Sequence, residues 1–159
     1  DPLDWMILVS LRDSENFGLV EDFDDPEDQL GGITMPNEIE NWLGQVYTEV
    51  IDETNLFSCK DSNHLTSIVD SKHSNGYKCV LLINADMFSG KTKKDYKKNK
   101  DFSGKIGAEF PNHYVVYENN MSVSGNNITF DVWTWGSTKT VNVTKDIFNK
   151  TYYGALFAK

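Results

Sequence analysis

The segment Tyr77-Lys78-Cys79-Val80-Leu81-Leu82-Ile83-Asn84 constrains this chain more than any other. It is a mostly apolar run of strand length, and such a run belongs in the centre of a sheet, buried on both faces. The C-terminal residues beyond it read as β structure. His113 to Tyr117 is one strand, Glu118 to Asn127 a polar turn region with Gly125, Asn127 to Trp135 a second strand, Gly136-Ser137 its turn, and Thr138 to Val143 a third. The spacing is that of an antiparallel meander. Thr144 can cap a short helix from Lys145 to Asn149, and Tyr152 to Ala158 closes the chain as a last strand.

Upstream of the central run the periodicity is helical. Residues Pro2 to Arg12 carry Leu3, Met6, Ile7, Val9 and Leu11 near helical spacing, with Asp4 as a cap. Thr34 can cap a helix with Pro36 in its first turn and Glu38 at its positive end, turning Ile39, Trp42, Leu43 and Val46 inward. Val46 to Ile51 then suits a short strand. Asn63 to Lys72 is a further helix with Leu65, Ile68 and Val69 as its stripe, ended by Ser74-Asn75-Gly76 with Gly as the left-handed cap. Helices first and a sheet after them make an α+β fold, N-terminal helices packed on a C-terminal antiparallel sheet. With 159 residues, one domain spanning residues 1–159 is expected.

Charge and composition exclude several functions. The net charge of −9 argues against non-specific nucleic-acid binding. Acid gathers in Glu21-Asp22-Phe23-Asp24-Asp25-Pro26-Glu27-Asp28, and base in a run holding Lys91, Lys93, Lys94, Lys97, Lys98 and Lys100. Both read as solvated loops, the second also as a flap able to meet an acidic substrate, partner or membrane surface. No apolar run approaches the ~20 residues of a membrane helix. The start is acidic where a secretory signal is basic, and it lacks an initiator Met, so processing or excision from a longer chain is expected. Cys59 and Cys79 are read as two reduced thiols, with a single Cys59–Cys79 disulfide as the alternative, and no Cys/His spacing suits zinc. Neither a metal nor a cofactor is expected. Gly-rich phosphate loops, a Ser-centred elbow and an HExxH motif are absent from the sequence. Four Asn-x-Ser/Thr sequons begin at Asn120, Asn127, Asn142 and Asn149, as an Asn- and Thr-rich segment produces by chance.

The stretch that can carry chemistry is Pro111-Asn112-His113-Tyr114-Val115-Val116-Tyr117, followed by Asp131-Val132-Trp133-Thr134-Trp135-Gly136. A histidine opening an apolar strand sits at a sheet rim, half exposed, and can take a proton from a thiol if an acceptor holds its other nitrogen. Asp131, on the neighbouring strand, is the expected acceptor. His64 and His73 have the wrong spacing for a metal pair on one helix face and read as surface residues. Trp133 and Trp135 alternate onto one strand face and read as core.

Here the sequence resembles the papain-like cysteine peptidases and amidases, with bacteriocin-processing peptidases and papain-fold bacterial toxin effectors nearest in pattern. The likeness covers about residues 63 to 159. His113 to Tyr117 resembles the family's histidine strand, Thr134-Trp135-Gly136 its Ser-Trp-Gly, and Phe148 to Phe157 its closing helix and strand. A strict alignment places Trp133 at the orienting position. Asp131, two residues earlier on the same strand face, is the preferred orienting group.

The resemblance implies a hydrolase or transferase acting on an amide bond of a peptide or protein, secreted by or delivered from a bacterium as an effector or toxin. His113 would be general base and acid, Asp131 its orienting partner and Trp135 its packing support. The family's nucleophile lies at a helix N-terminus well upstream of its histidine. No Cys precedes Cys59 here, so the thiol is expected from an upstream segment or partner protein, with Cys59 as the possible internal nucleophile and Cys79 an inert core thiol. The alternative is a non-catalytic binding module on the same fold, using its charged loops.

Overall fold

A computed structural model describes residues 35–89 and 111–159. The Pro2 to Arg12 helix, the acidic run, the Thr34 cap and the lysine run lie outside the described residues.

Helix α1 (Pro36–Gly44) begins with proline in its first turn, where the missing N–H is no loss. Met35, not a threonine, precedes it, and the Glu38 carboxylate reaches back to accept from the Met35 N–H at 2.9 Å. Strand β1 is Val50–Thr54. Helix α2 is wound as a π-helix over His64–Val69 and as an α-helix over Asp70–Ser74, ending at Gly76 with φ +88°. Then come β2 (Lys78–Ile83), a 3₁₀ turn (Ala85–Ser89), β3 (His113–Ser124), β4 (Asn127–Thr134), β5 (Ser137–Thr144), α3 (Lys145–Thr151) and β6 (Tyr152–Ala158). Thr144 caps α3 as expected, its hydroxyl accepting from the Ile147 N–H.

The six strands form one sheet in the order β1-β6-β2-β3-β4-β5, every neighbouring pair antiparallel. The apolar run does become an inner strand, between β6 and β3. Its side chains alternate between two cores. Cys79, Leu81 and Ile83 join Val115, Tyr117, Phe130, Val132, Phe157 and the inward residues of α2 and α3. Val80 and Leu82 join Tyr114, Val116, Leu156 and the α1 residues Ile39 and Leu43. The fold is thus α+β, with helices on both sheet faces. The expected order of helices first and sheet after is only approximate, because β1 enters the sheet before α2 and α3 lies between β5 and β6.

Two backbone irregularities shape the sheet. In β6, Tyr152 stands opposite Ile83 while Ala155 stands opposite Leu81, so β6 carries one extra residue. The bulge holds Gly154 at φ +102°, and a Cβ there would lie 2.2 Å from the Glu53 carbonyl oxygen. Only glycine fits. In β3 the register slips on either side of Asn119, near the left-handed residues Asn119 and Asn120. β3 is also longer than the sequence suggests: the polar stretch after Tyr117 stays paired with β4 up to Ser124 and Asn127.

Candidate functional site

The rim of the sheet at the start of β3 gathers His113, Thr134, Trp135 and Phe88. His113 opens β3, two residues before Val115, and so faces the same core as Val115 and Tyr117. Its Nε2 lies 2.6 Å from the Thr134 hydroxyl. Its ring stacks on Trp135, with centroids 4.5 Å apart and planes 22° apart, while Phe88 meets it edge-on. His113 is 4% exposed and Thr134 0%. Burial pulls the imidazole pKa down to about 4, so the ring is neutral at pH 7.

Trp135 is the outlier of this rim. It takes the first position of the two-residue turn between β4 and β5, at φ +48°, with Gly136 at φ +78° behind it. Two left-handed residues make a type I′ turn, whose twist suits the flanking strands, and Asn or Asp is the usual first residue. A bulky side chain in that region is strained by about 1–2 kcal/mol. The indole nonetheless leaves the strand and is 52% exposed, so the expectation of a core tryptophan is corrected. The Lys139 ammonium sits 5.4 Å from its ring centroid.

The structure does not bring Asp131 to His113. Along β4, Ile128, Phe130 and Val132 point into the His113 core, so Asp131 points to the other face, beside Trp133. It is also level with Asn119, while the β3–β4 register puts His113 level with the turn, roughly 17 Å away along the strand. Its carboxylate accepts from the Asn120 amide at 2.8 Å and the Thr140 hydroxyl at 2.6 Å, which together hold its pKa below the usual carboxylate range. The group beside His113 is a hydroxyl, Thr134.

Neither cysteine reaches His113 either. The two thiols form no disulfide. Cys79 is buried among Leu81, Val69 and Tyr152, and burial raises its pKa to about 12, as suits an inert core thiol. Cys59 packs against the α1 core, on the far face of the sheet from His113. Its neighbour Lys60 donates its N–H to Tyr152 O, Tyr152 pairs with Ile83, and Ile83 with His113. Three strand spacings, roughly 14 Å, therefore separate Lys60 from the histidine.

A second histidine cluster forms on α2, where the sequence pattern gives no sign of one. His64 is no surface residue: its Nδ1 lies 2.6 Å from the Tyr152 hydroxyl and its Nε2 3.4 Å from a Glu53 carboxylate oxygen. The acid favours the proton on Nε2, leaving Nδ1 to accept from the buried phenol. Burial lowers the His64 pKa, with Glu53 opposing it. The trio ties α2 to β1 and β6. Tyr152 is fully buried, so a substrate has no route to its oxygen. His73 meets Tyr117 edge-on at 5.2 Å. No signal in the sequence links residues 64 and 152.

Among the described residues no group of His, Cys, Asp and Glu could hold a metal ion, and no helix is long and apolar enough to cross a membrane. No family model, curated protein or solved structure matches this chain.

Proposed function

We propose that this chain is a non-catalytic binding module whose contact point is the rim at Trp135. The observation that carries the reading is the state of His113, the residue on which catalysis would turn. It is sealed under Trp135, bonded to a hydroxyl, and no carboxylate or thiol among the described residues lies against it. A general base works best with a pKa near the operating pH, and about 4 is far below it. An exposed tryptophan on a tight turn is, by contrast, the residue type that anchors protein contacts.

Thiol alkylation against pH, read by intact mass on the chain and on His113→Ala, tests this. Cys59, only partly buried, is expected to be alkylated in the folded chain at a rate that His113→Ala leaves unchanged, and Cys79 only on unfolding. A thiol that reacts fast near pH 6 and loses that speed in His113→Ala would overturn the reading.

A papain-like cysteine hydrolase is the second reading, favoured by the position of His113 at the first residue of β3. It requires a thiol other than Cys59 and Cys79 to be brought to the imidazole, and an orienting group other than Asp131. Acyl transfer upon adding a longer form of the chain that contains such a thiol, lost in His113→Ala, would support it.

A further inference from the structure

We infer that the partner of this module is an extended acidic peptide, which adds to the sheet as a strand along β5 and is anchored by Lys139 and Trp135. The inference rests on the binding-module reading and names the partner of the same rim.

Among the described residues β5 pairs only with β4, over eight consecutive residue pairs from Asn127↔Thr144 to Thr134↔Ser137. Thr134 and Ser137 flank a two-residue turn, and in such a hairpin the flanking pair exchanges the first backbone hydrogen bonds. Ser137, Lys139, Val141 and Val143 therefore spend their backbone groups on β4. Thr138, Thr140, Asn142 and Thr144 direct theirs outward, the row that an added strand would use.

Charge separates the two sheet edges. β1, at the other edge, carries Asp52 and Glu53, which repel an incoming strand of like charge. β5 has no acid and one base, Lys139, in a chain of net charge −9. The nearby carboxylates of Glu118 and Asp131 belong to β3 and β4. On the opposite sheet face they accept from the Thr138 and Thr140 hydroxyls. An acidic segment is therefore matched at β5 and repelled at β1.

The side chains fix the register. Lys139 lies on the same face as Val141 and reaches over Trp135. A residue opposite Lys139 falls at a non-hydrogen-bonded position, where Cβ atoms are closest, so a carboxylate there meets the ammonium. In an antiparallel peptide the residue two further on lies opposite Ser137, next to the indole, and an apolar side chain there covers it. The peptide pattern is acidic-x-apolar, read from N to C.

The probe is a capped heptapeptide, Thr-Val-Thr-Glu-Thr-Phe-Thr, titrated into the whole chain and followed by tryptophan fluorescence and calorimetry. Binding is expected, weakened about fivefold by Lys139→Glu and restored by a Lys-for-Glu peptide. Thr140→Pro is expected to abolish it without unfolding the protein, because the Thr140 N–H points away from β4. No binding at millimolar peptide, or binding indifferent to both variants, would overturn the inference. So would a dimer of the chain alone that Thr140→Pro dissolves, since β5 would then take a second copy's β5. A reactive His113-dependent thiol would sink the module reading itself, and that measurement is independent of the peptide.

Discussion

If His113 is buried neutral, it must destabilise the fold in acid by a calculable amount. Its pKa is about 4 in the folded chain and about 6.5 when unfolded. The unfolded chain therefore takes the proton first as pH falls. The His113 contribution to stability is fully present above about pH 6.5, drains away between 6.5 and 4, and is gone below that. At about 1.4 kcal/mol per pH unit the full loss is about 3.5 kcal/mol, and a charged ring stacked on Trp135 would recover about 1 kcal/mol of it.

The reference is His113→Gln, which does not titrate and keeps a polar group near Thr134. Urea unfolding of both proteins at pH 7.5, 6, 5 and 4 gives a stability difference from which the carboxylates cancel, as does His64, whose lowered pKa acts in the same sense in both. Wild type should lose about 2 to 3 kcal/mol relative to the variant across that range. A difference that stays flat would mean that His113 titrates as it does in the unfolded chain. A proton-transfer role for His113 at this rim would then regain its main requirement, a pKa near neutrality.

Three further substitutions probe the same structure by urea or thermal unfolding. Gly154→Ala should cost more than about 3 kcal/mol, because the new Cβ meets the Glu53 carbonyl and the φ is left-handed, whereas Gly76→Ala, facing only the flexible end of Lys159, should cost about 1 kcal/mol. Equal costs would contradict the close approach of β1 to the bulge. Thr134→Val should cost about 1–3 kcal/mol by leaving the His113 Nε2 buried without its hydroxyl partner. Trp135→Asn should change stability by less than about 1 kcal/mol, since the relief of left-handed strain offsets the lost stack on His113.

The strands were legible in the sequence where burial imposed their composition. β6 runs from Tyr152 to Ala158 as its seven apolar and small residues suggest, and all seven are buried. The second half of β3 was not legible, because Glu118 to Ser124 is polar and largely exposed and is held by pairing with β4 instead. The pairing of His113 with Asp131 failed because the hairpin register, with Val116 opposite Trp133, sets Asp131 five residues from the position level with His113 and on the other sheet face. The two irregularities flanking Asn119 each add one residue to β3, so together they shift the register without changing which face Asp131 takes. Nothing in Tyr117-Glu118-Asn119-Asn120-Met121 states how many there are. His64 was illegible because its partners, Glu53 and Tyr152, come from strands that meet only in the folded sheet.

The left-handed residues Gly154 and Trp135 carry opposite information. At Gly154 the fold dictates the residue: the β1 backbone occupies the space of any Cβ, so the glycine speaks of packing alone. At Trp135 the fold asks for a small residue of the Asn or Asp type and receives the bulkiest side chain instead, with more than half of it exposed. The stack on His113 returns about as much as the strain costs, so stability gives little reason for a tryptophan there. An exposed tryptophan that folding does not need, at a sheet corner beside Lys139, fits the proposed contact surface. On the binding-module proposal, the His113 beneath it is the floor on which the indole stacks, a role that a neutral, buried ring can fill.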